Sequence, residues 1–461
     1  MIALSLAEVA AITGGRLADA PDPGTTITGG VVFDSRLAGV GDLFLALPGE
    51  RSDGHHHAGA AVASGAVAVL ATHPVGVPAV VVDDVLAALS LLARGVLERL
   101  RQVTVVGITG SSGKTSTKDL IAQLLPLLGP TVAPPGSFNN ELGHPYTVLL
   151  ATPETRYLVL EYSARGLGHI AALCDVARPD VAVELNVGTA HIGEFGSAEI
   201  VAQAKAELVA GLRPDAVAVL NADDPRVRAM AGSTEARVVL TGRAADADVR
   251  ATDVRLDERG RPSYTLHAAG EQAGVRLPLF GEHAVANSLA AAAVAHELGL
   301  GLDDIAAALG EVRAVSRWRM EVSERADGVT VVNDAYNANP ESMAAALRAL
   351  AAMGGARRTW AVLGHMAELG ERAGPEHDAL GRLVNDLGID RLVAVGPLAE
   401  GVHAGAVQTG RSEEESFQVP DIDAALRLLH AELRPGDVVL VKASRAAGLE
   451  RLAQSLLEGG A

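Results

Sequence analysis

The stretch VVGITGSSGKTSTKDL, residues 105–120, decides how this chain is read. An apolar run through Ile108 gives way to small residues and glycine, then to Lys114, Thr115 and an amphipathic segment. Strand, glycine turn and helix in that order aim backbone N–H groups at an anion, and the helix dipole helps to hold it. The common nucleotide loop, G-x-x-x-x-G-K-[ST], needs a glycine five positions before Gly113, where Ile108 stands. What is present is a shorter G-x-x-G-K-T: Gly110, Ser111, Ser112, Gly113, Lys114 and Thr115, with Ser116 after it. In this reading Lys114 reaches the terminal phosphates and the Thr115 hydroxyl joins a Mg²⁺ shell. The plainer alternative is a Gly/Ser-rich strand-to-helix turn with a solvated lysine.

Working outward, strand–loop–helix units continue on both sides. At 461 residues the chain is long enough for about three domains. Residues 1–100 mix short strands (GGVVFDS, DLFLAL, AVAVLAT, PAVVVDD) with Ala-rich helical stretches, a small α/β unit. Residues 101–313 place VTVVGIT, YLVLE, DVAVELN and AVAVLN as buried strands between helices, which implies a parallel sheet covered on both faces. A β-rich insertion is expected near 248–280, and HAVANSLAAAAVAHELGL closes the region. Residues 314–461 alternate again, from GVTVVND to DVVLVKAS, as a Rossmann-like domain. It has no G-x-G-x-x-G after its first strand, which argues against a dinucleotide role there.

Composition narrows the function. A formal charge of −18 argues against nucleic acid or a membrane surface as partner. An anionic small molecule stays compatible, because helix N-termini and a few local cations can hold phosphate in an acidic protein. Cys174 is the only cysteine, so neither a disulfide framework nor a zinc cluster is available. The opening MIALSLAEVAAITGG lacks a basic start and carries Glu8, which reads as an amphipathic helix ended by Gly14-Gly15 and not as a signal peptide. No apolar run reaches the length of a membrane span. A soluble, cytoplasmic chain is expected, and a monomer.

Several side chains could work with the loop. Glu161 ends the strand YLVLE at the sheet edge where ligands gather, facing either a metal beside Thr115 or water. His191 sits on the loop VGTAHIGEFGS, where a lone histidine is usually unremarkable. Ser197 caps a helix on which Ile200, Val201, Ala204, Leu208 and Leu212 form an apolar stripe. Lys205 lies beside that stripe. Snorkelling accounts for such a lysine; a desolvated one would have a lowered pKa and could take up CO₂ as a carbamate, an anionic metal ligand. Asn287 either reads an adenine edge or caps its helix. Asp334, Tyr336 and Asn337 lie on a strand-to-helix loop before the Asn339–Pro340 helix start. Arg317 and Arg319, in SRWRMEV, stand between two domains, as phosphate ligands or as surface charges.

Taken together these motifs resemble the Mur ligase family of ATP-dependent amide ligases. The likeness covers essentially the whole chain in motif order: DSR (34–36) with GDLFLALPGERSDGHHH, GITGSSGKTSTKD, NNELGHPYTVL, NVGTAHIGEFGS, NDAYNANPESM, ELGE and VLVKASRAAGLE. In that family the short G-x-x-G-K-[ST] loop is normal. NDAYNANPESM and SRAAGLE look specific to the branch that adds a dipeptide. The resemblance implies three domains: an N-terminal uridine-nucleotide unit, a central parallel-sheet ATPase-like unit and a C-terminal Rossmann-like unit. It implies ATP and two Mg²⁺ ions as cofactors, with UDP-N-acetylmuramoyl-tripeptide and D-alanyl-D-alanine as substrates joined through an acyl phosphate. It further implies Lys114, Glu161, His191 and Lys205 as catalytic. Thr115, Glu161, His191 and an N6-carboxylated Lys205 would hold metal. ATP would be met by residues 110–116, Asn287, Arg319, Asp334, Tyr336 and Asn337, and the muramoyl or dipeptide substrate by Asp34, Ser35, Arg36, Asn139, Asn140, Ser444 and Arg445. Three departures stand out: Ala284 for an asparagine, His365 for an aspartate and Ala443 for a glycine. A sister amide ligase adding one amino acid, or an NTP-binding switch without ligase chemistry, are the competing expectations.

Overall fold

The computed structural model describes residues 1–49, 52–188, 192–412 and 414–459. Its first sheet has five strands, with Arg16–Ala18 antiparallel to Ala79–Val81 and then Ala68–Ala71, Leu43–Leu45 and Val31–Val32 all parallel. These are the four strands expected from the sequence, plus one edge. The opening segment differs from expectation: Leu4–Ser5 pairs with Thr26–Ile27, and the helix begins only at Leu6. Ser5 caps that helix in a box with Glu8, and left-handed Gly14 ends it.

The second sheet has nine strands. Thr104–Thr109 lies between Tyr157–Glu161 and Val181–Glu184, parallel to both. The chain leaves this strand to one side and returns on the other, so the strand sits at a switch point. In open α/β sheets the crevice for ligands forms there, beyond the carboxyl ends of the strands. Val217–Asn221 and Arg237–Gly242 continue the parallel run. Val249–Leu256 extends it, and Pro262–Ala268 and Glu271–Arg276 add an antiparallel edge.

Helices cover both faces because the strands are apolar on both sides. One face packs under Lys114–Leu124, His283–Glu297 and Leu302–Glu311. The last of these follows the alanine-rich helix, so the region does not close where the sequence suggested. The other face, under Ala198–Ala210, shares one continuous core with Val85–Arg99 of the first sheet's unit. The third sheet holds Glu321–Glu324 antiparallel to Thr330–Asn333, then Val438–Lys442, Thr359–Leu363, Arg391–Val395 and Ser416–Val419 in parallel, with a core on each face. Among the described residues no helix is long and apolar enough to cross a membrane.

Candidate active site

A glycine shapes the turn of the loop. Gly113 has φ 83°, and a Cβ there would sit 2.7 Å from Asn287 Oδ1. Conformation and space both demand glycine. The loop is braced from the neighbouring strand end: Asn186 Oδ1 accepts the Ser112 N–H at 2.9 Å, and its amide donates to the Ser112 carbonyl at 3.1 Å. The Ser111 hydroxyl accepts the Gly188 N–H at 2.9 Å. Helix Lys114–Leu124 then starts with no side-chain cap, which leaves its first N–H groups to a ligand. Lys114 Nζ folds back onto the Gly110 carbonyl at 2.5 Å. Burial pushes this ammonium below its ordinary value; Glu161 opposes that shift and Arg319 adds to it.

Beside Lys114 a polar chain crosses the domain boundary. The Thr115 hydroxyl donates to Glu161 Oε2 at 3.2 Å and lies 2.6 Å from Ser137 Oγ. Ser137 Oγ in turn accepts from Arg319 at 2.8 Å. Asn139 donates to the same Glu161 oxygen at 3.3 Å. Glu161 is fully buried with Oε1 unpaired, and burial raises its pKa despite the nearby Arg319 and Lys114. Such a carboxylate calls for a cation.

Glu184, which the sequence reading passed over, is a second buried carboxylate. It ends the neighbouring strand, and neither of its oxygens has a hydrogen-bond partner among the described residues. Burial raises its pKa most, with Lys205 and then Lys114 pulling the other way. Lys205 is 7% exposed, so the snorkelling reading is wrong: its helix is pressed onto the sheet here, while Ile200 of the supposed apolar stripe is 37% exposed. Burial lowers the Lys205 pKa, helped by Lys114 and opposed by Glu184. For Glu184 the sign is clear. An acid raised above its ordinary 4.5 keeps its proton in the fold, so the folded state loses stability as pH rises above that value. Glu184→Gln is therefore expected to stabilise the nucleotide-free protein at neutral pH by about 1 kcal/mol, a gain shrinking towards pH 4.5. Thermal melts of both forms across pH measure it; a destabilised variant at pH 8 would contradict it.

The third domain closes over this edge. Asn339, the cap of helix Pro340–Gly354, donates across the boundary to the Ser111 carbonyl at 3.2 Å. Arg319 stacks 4.3 Å from the Tyr336 ring centroid. Asp334 pairs with Lys442 at 2.6 Å and accepts the Met320 N–H at 3.0 Å; Lys442 also donates to the Asn337 carbonyl at 2.8 Å. Ser444 accepts the Ala367 N–H at 2.8 Å, and Arg445 lies 4.2 Å over the Trp318 ring.

The result is a cavity of about 900 Å³ between the second and third domains. Its walls bring together residues 111–116, Asn139, Asn140, Asn287, Arg319, Asp334, Tyr336, Asn337, Ser444 and Arg445. Gly110 and Glu161 lie just behind the loop, within reach of Lys114 and Thr115 respectively. Asn287 is no cap: its helix starts a turn earlier, at His283, and its amide oxygen lies against Gly113. Asp34, Ser35 and Arg36 are not part of this cavity. They form a short helical turn in the first domain, with Arg36 exposed and Asp34 and Ser35 half-buried, where the Arg36 guanidinium holds the Asp34 carboxyl down at about 2. His191 lies outside the described residues. Ser137 and Lys442 were missed because each stands among ordinary loop or strand residues and acquires meaning only from partners far along the chain.

The description of the Mur ligase middle domain matches residues 108–295, that of the Mur ligase glutamate ligase domain residues 318–445, and that of the Mur ligase catalytic domain residues 28–96. The chain belongs to the Mur ligase family. A relative from Mycobacterium tuberculosis, named UDP-N-acetylmuramoyl-tripeptide–D-alanyl-D-alanine ligase, is 53% identical over 99% of this chain and 98% of its own. The crystal structure of MurF from Acinetobacter baumannii superposes with a TM-score of 0.89 at 32% identity, covering 99% of each chain. MurF from Thermotoga maritima in complex with ADP gives 0.81 at 32% identity, over 94% of this chain and 98% of that one. The Mur ligase fold thus runs through all three sheets, and the loop, the buried glutamates and the interdomain arginine lie where its middle and C-terminal domains meet.

Proposed function

We propose that this Mur ligase joins D-alanyl-D-alanine to the C-terminal carboxylate of UDP-N-acetylmuramoyl-tripeptide, with ATP hydrolysed to ADP and phosphate. The full-length likeness to relatives of that name supports the substrates. The observation that carries the chemistry is the polar chain Glu161–Thr115–Ser137–Arg319, which joins the nucleotide loop to the third domain.

A carboxylate is a poor electrophile at neutral pH, so it must first be activated. Its oxygen attacks the γ-phosphorus of ATP, ADP leaves, and an acyl phosphate forms. The dipeptide amine then attacks the acyl carbon, loses a proton, and the tetrahedral adduct expels phosphate. The first step brings two anions together, and preorganised cations are what lower its barrier. Lys114 and the uncapped helix start meet the phosphates, and Arg319 approaches them from the other domain. Asn287 is set to meet the base, and Asp334, Tyr336 and Asn337 to line the nucleotide's far side. Holding both substrates in one closed cleft supplies the remainder through proximity.

Mg²⁺ fits the donors that the fold brings together. Glu161 has an unpaired buried oxygen beside the Thr115 hydroxyl, a hard-oxygen pair suited to it. Thr115 and Glu161 would hold one ion, and His191 with a carbamate on Lys205 a second. When bound, the ions offset the charge of the phosphates. Desolvated Lys205 is a free amine more readily than an ordinary lysine, which favours uptake of CO₂. The enzyme works in the cytoplasm, where ATP is supplied, and Asp34, Ser35 and Arg36 contact the uridine nucleotide.

The test is product analysis. Incubation with UDP-N-acetylmuramoyl-tripeptide, ATP and D-alanyl-D-alanine is expected to give one amide product by mass and stoichiometric phosphate. Product with a single amino acid, but none with the dipeptide, would favour the sister ligases. ATP turnover without any amide would end the ligase reading.

A further inference from the structure

Charged side chains on the wall of the large cavity are nearly all engaged. Asp334 and Lys442 form an ion pair, Arg445 pairs with Glu450 at 2.7 Å, Arg319 bonds Ser137, and Lys114 bonds the Gly110 carbonyl. Glu368 has a partner as well. Two stand apart: the Glu141 and Arg165 side chains, exposed on the cavity wall, make no hydrogen bond or ion pair among the described residues, with each other or with anything else.

The loops that carry them are also tied to one another. The Ser163 N–H donates to the Asn139 carbonyl at 3.1 Å, and the Ser163 hydroxyl to the same oxygen at 2.7 Å. Glu141 and Arg165 each follow two residues after this junction. Asn140 caps the next turn through the Gly143 N–H at 2.9 Å, which fixes the backbone at Glu141. Arg165 is anchored only through its backbone N–H, to His169 Nδ1 at 3.5 Å. The junction ties back to the reacting end, because Asn139 also bonds Glu161. One free carboxylate and one free guanidinium therefore stand on two joined loops that line the cavity from the second domain.

An acid and a base left unpaired on two joined loops of one cavity wall complement a zwitterion. A peptide whose reacting residue carries both an ammonium and a carboxylate at its side-chain end would satisfy both; one carrying an ammonium alone would satisfy only Glu141. Resting on the reading that the donor is a muramoyl-tripeptide, we infer that Glu141 and Arg165 select its third residue, favouring a diamino-dicarboxylic acid such as diaminopimelate over a simple diamino acid such as lysine. The guanidinium–carboxylate contact is bidentate in its favoured form, and a site with an arginine left unmatched penalises the ligand that lacks the carboxylate.

The experiment measures kcat and KM for two donors, the diaminopimelate tripeptide and the lysine tripeptide, with D-alanyl-D-alanine as acceptor. The native enzyme is expected to favour the first by at least about tenfold in kcat/KM. Arg165→Gln is expected to bring that ratio to within about twofold of unity, through a higher KM for the diaminopimelate donor. Glu141→Gln should raise KM for both donors, because both carry the ammonium. Calorimetric binding of each donor without ATP reads the same preference independently of turnover. A native enzyme that prefers lysine, or an Arg165→Gln variant that loses both donors equally, overturns the inference while leaving the ligase reading intact. Failure to bind or join either donor overturns both.

Discussion

Lys114→Met is expected to lower kcat for ligation by about 10³-fold while leaving the fold intact. The methionine keeps the length and the packing but removes the one cation that begins the loop helix. Lys114 already lies in protein surroundings that disfavour its charge, with Glu161 as the largest compensation. Phosphates arriving there restore the charge balance, and the same low-dielectric setting makes the interaction strong when charge builds on the transferring phosphoryl group. Coupled phosphate-release kinetics, with a melting curve to verify folding, make the measurement. A loss smaller than tenfold would remove Lys114 from the chemistry and leave it a brace of the loop through the Gly110 carbonyl.

The second large effect belongs to Lys205. Lys205→Ala should cost about 10²-fold in rate, and short-chain carboxylates such as acetate should restore part of it, because they can occupy the space of the missing carbamate. Intact mass of the native enzyme in bicarbonate should show one CO₂ adduct that the variant lacks. The direction with pH follows from burial: the lysine's lowered pKa enlarges its free-amine fraction as pH rises, and only the free amine takes up CO₂. Full activity of Lys205→Ala, or absence of the adduct, would leave the lysine a structural partner of Glu184.

The three-part α/β plan was legible because apolar strands and amphipathic helices alternate with little ambiguity. The Glu161 strand is found where expected, residues 157–161. Ser197 and Asn339 cap the helices assigned to them. What failed were judgements of surroundings. Lys205 and Ile200 share a helix, and no periodicity says which is pressed against the sheet; the answer depends on the twist of strands contributed from elsewhere. Glu184 offered the same signal as Glu161, a carboxylate closing an apolar strand, but the asparagine two residues later drew attention instead. The antiparallel strand Glu321–Glu324 was hidden inside a segment read only for its arginines.

That segment has a mechanical consequence. The chain entering it is fastened to the second domain: the Arg313 backbone bonds Gln123 through both N–H and carbonyl, and the Ser316 N–H bonds Asp119 at 3.0 Å. The chain leaving it is fastened to the third: the Trp318 N–H bonds Glu321, and its carbonyl accepts the Tyr336 N–H. Between the two anchors lies Arg317 alone. A pivot of one residue permits rotation and almost no translation, so the third domain can swing but cannot slide. Its travel describes an arc whose inner end is Arg319, flanked by Trp318 and Met320, both left-handed at φ 59° and 48°. A swing that opened the cleft would move Arg319 least, so the phosphate site would keep its bridging cation to Ser137 while the outer rim of the cleft was already parting.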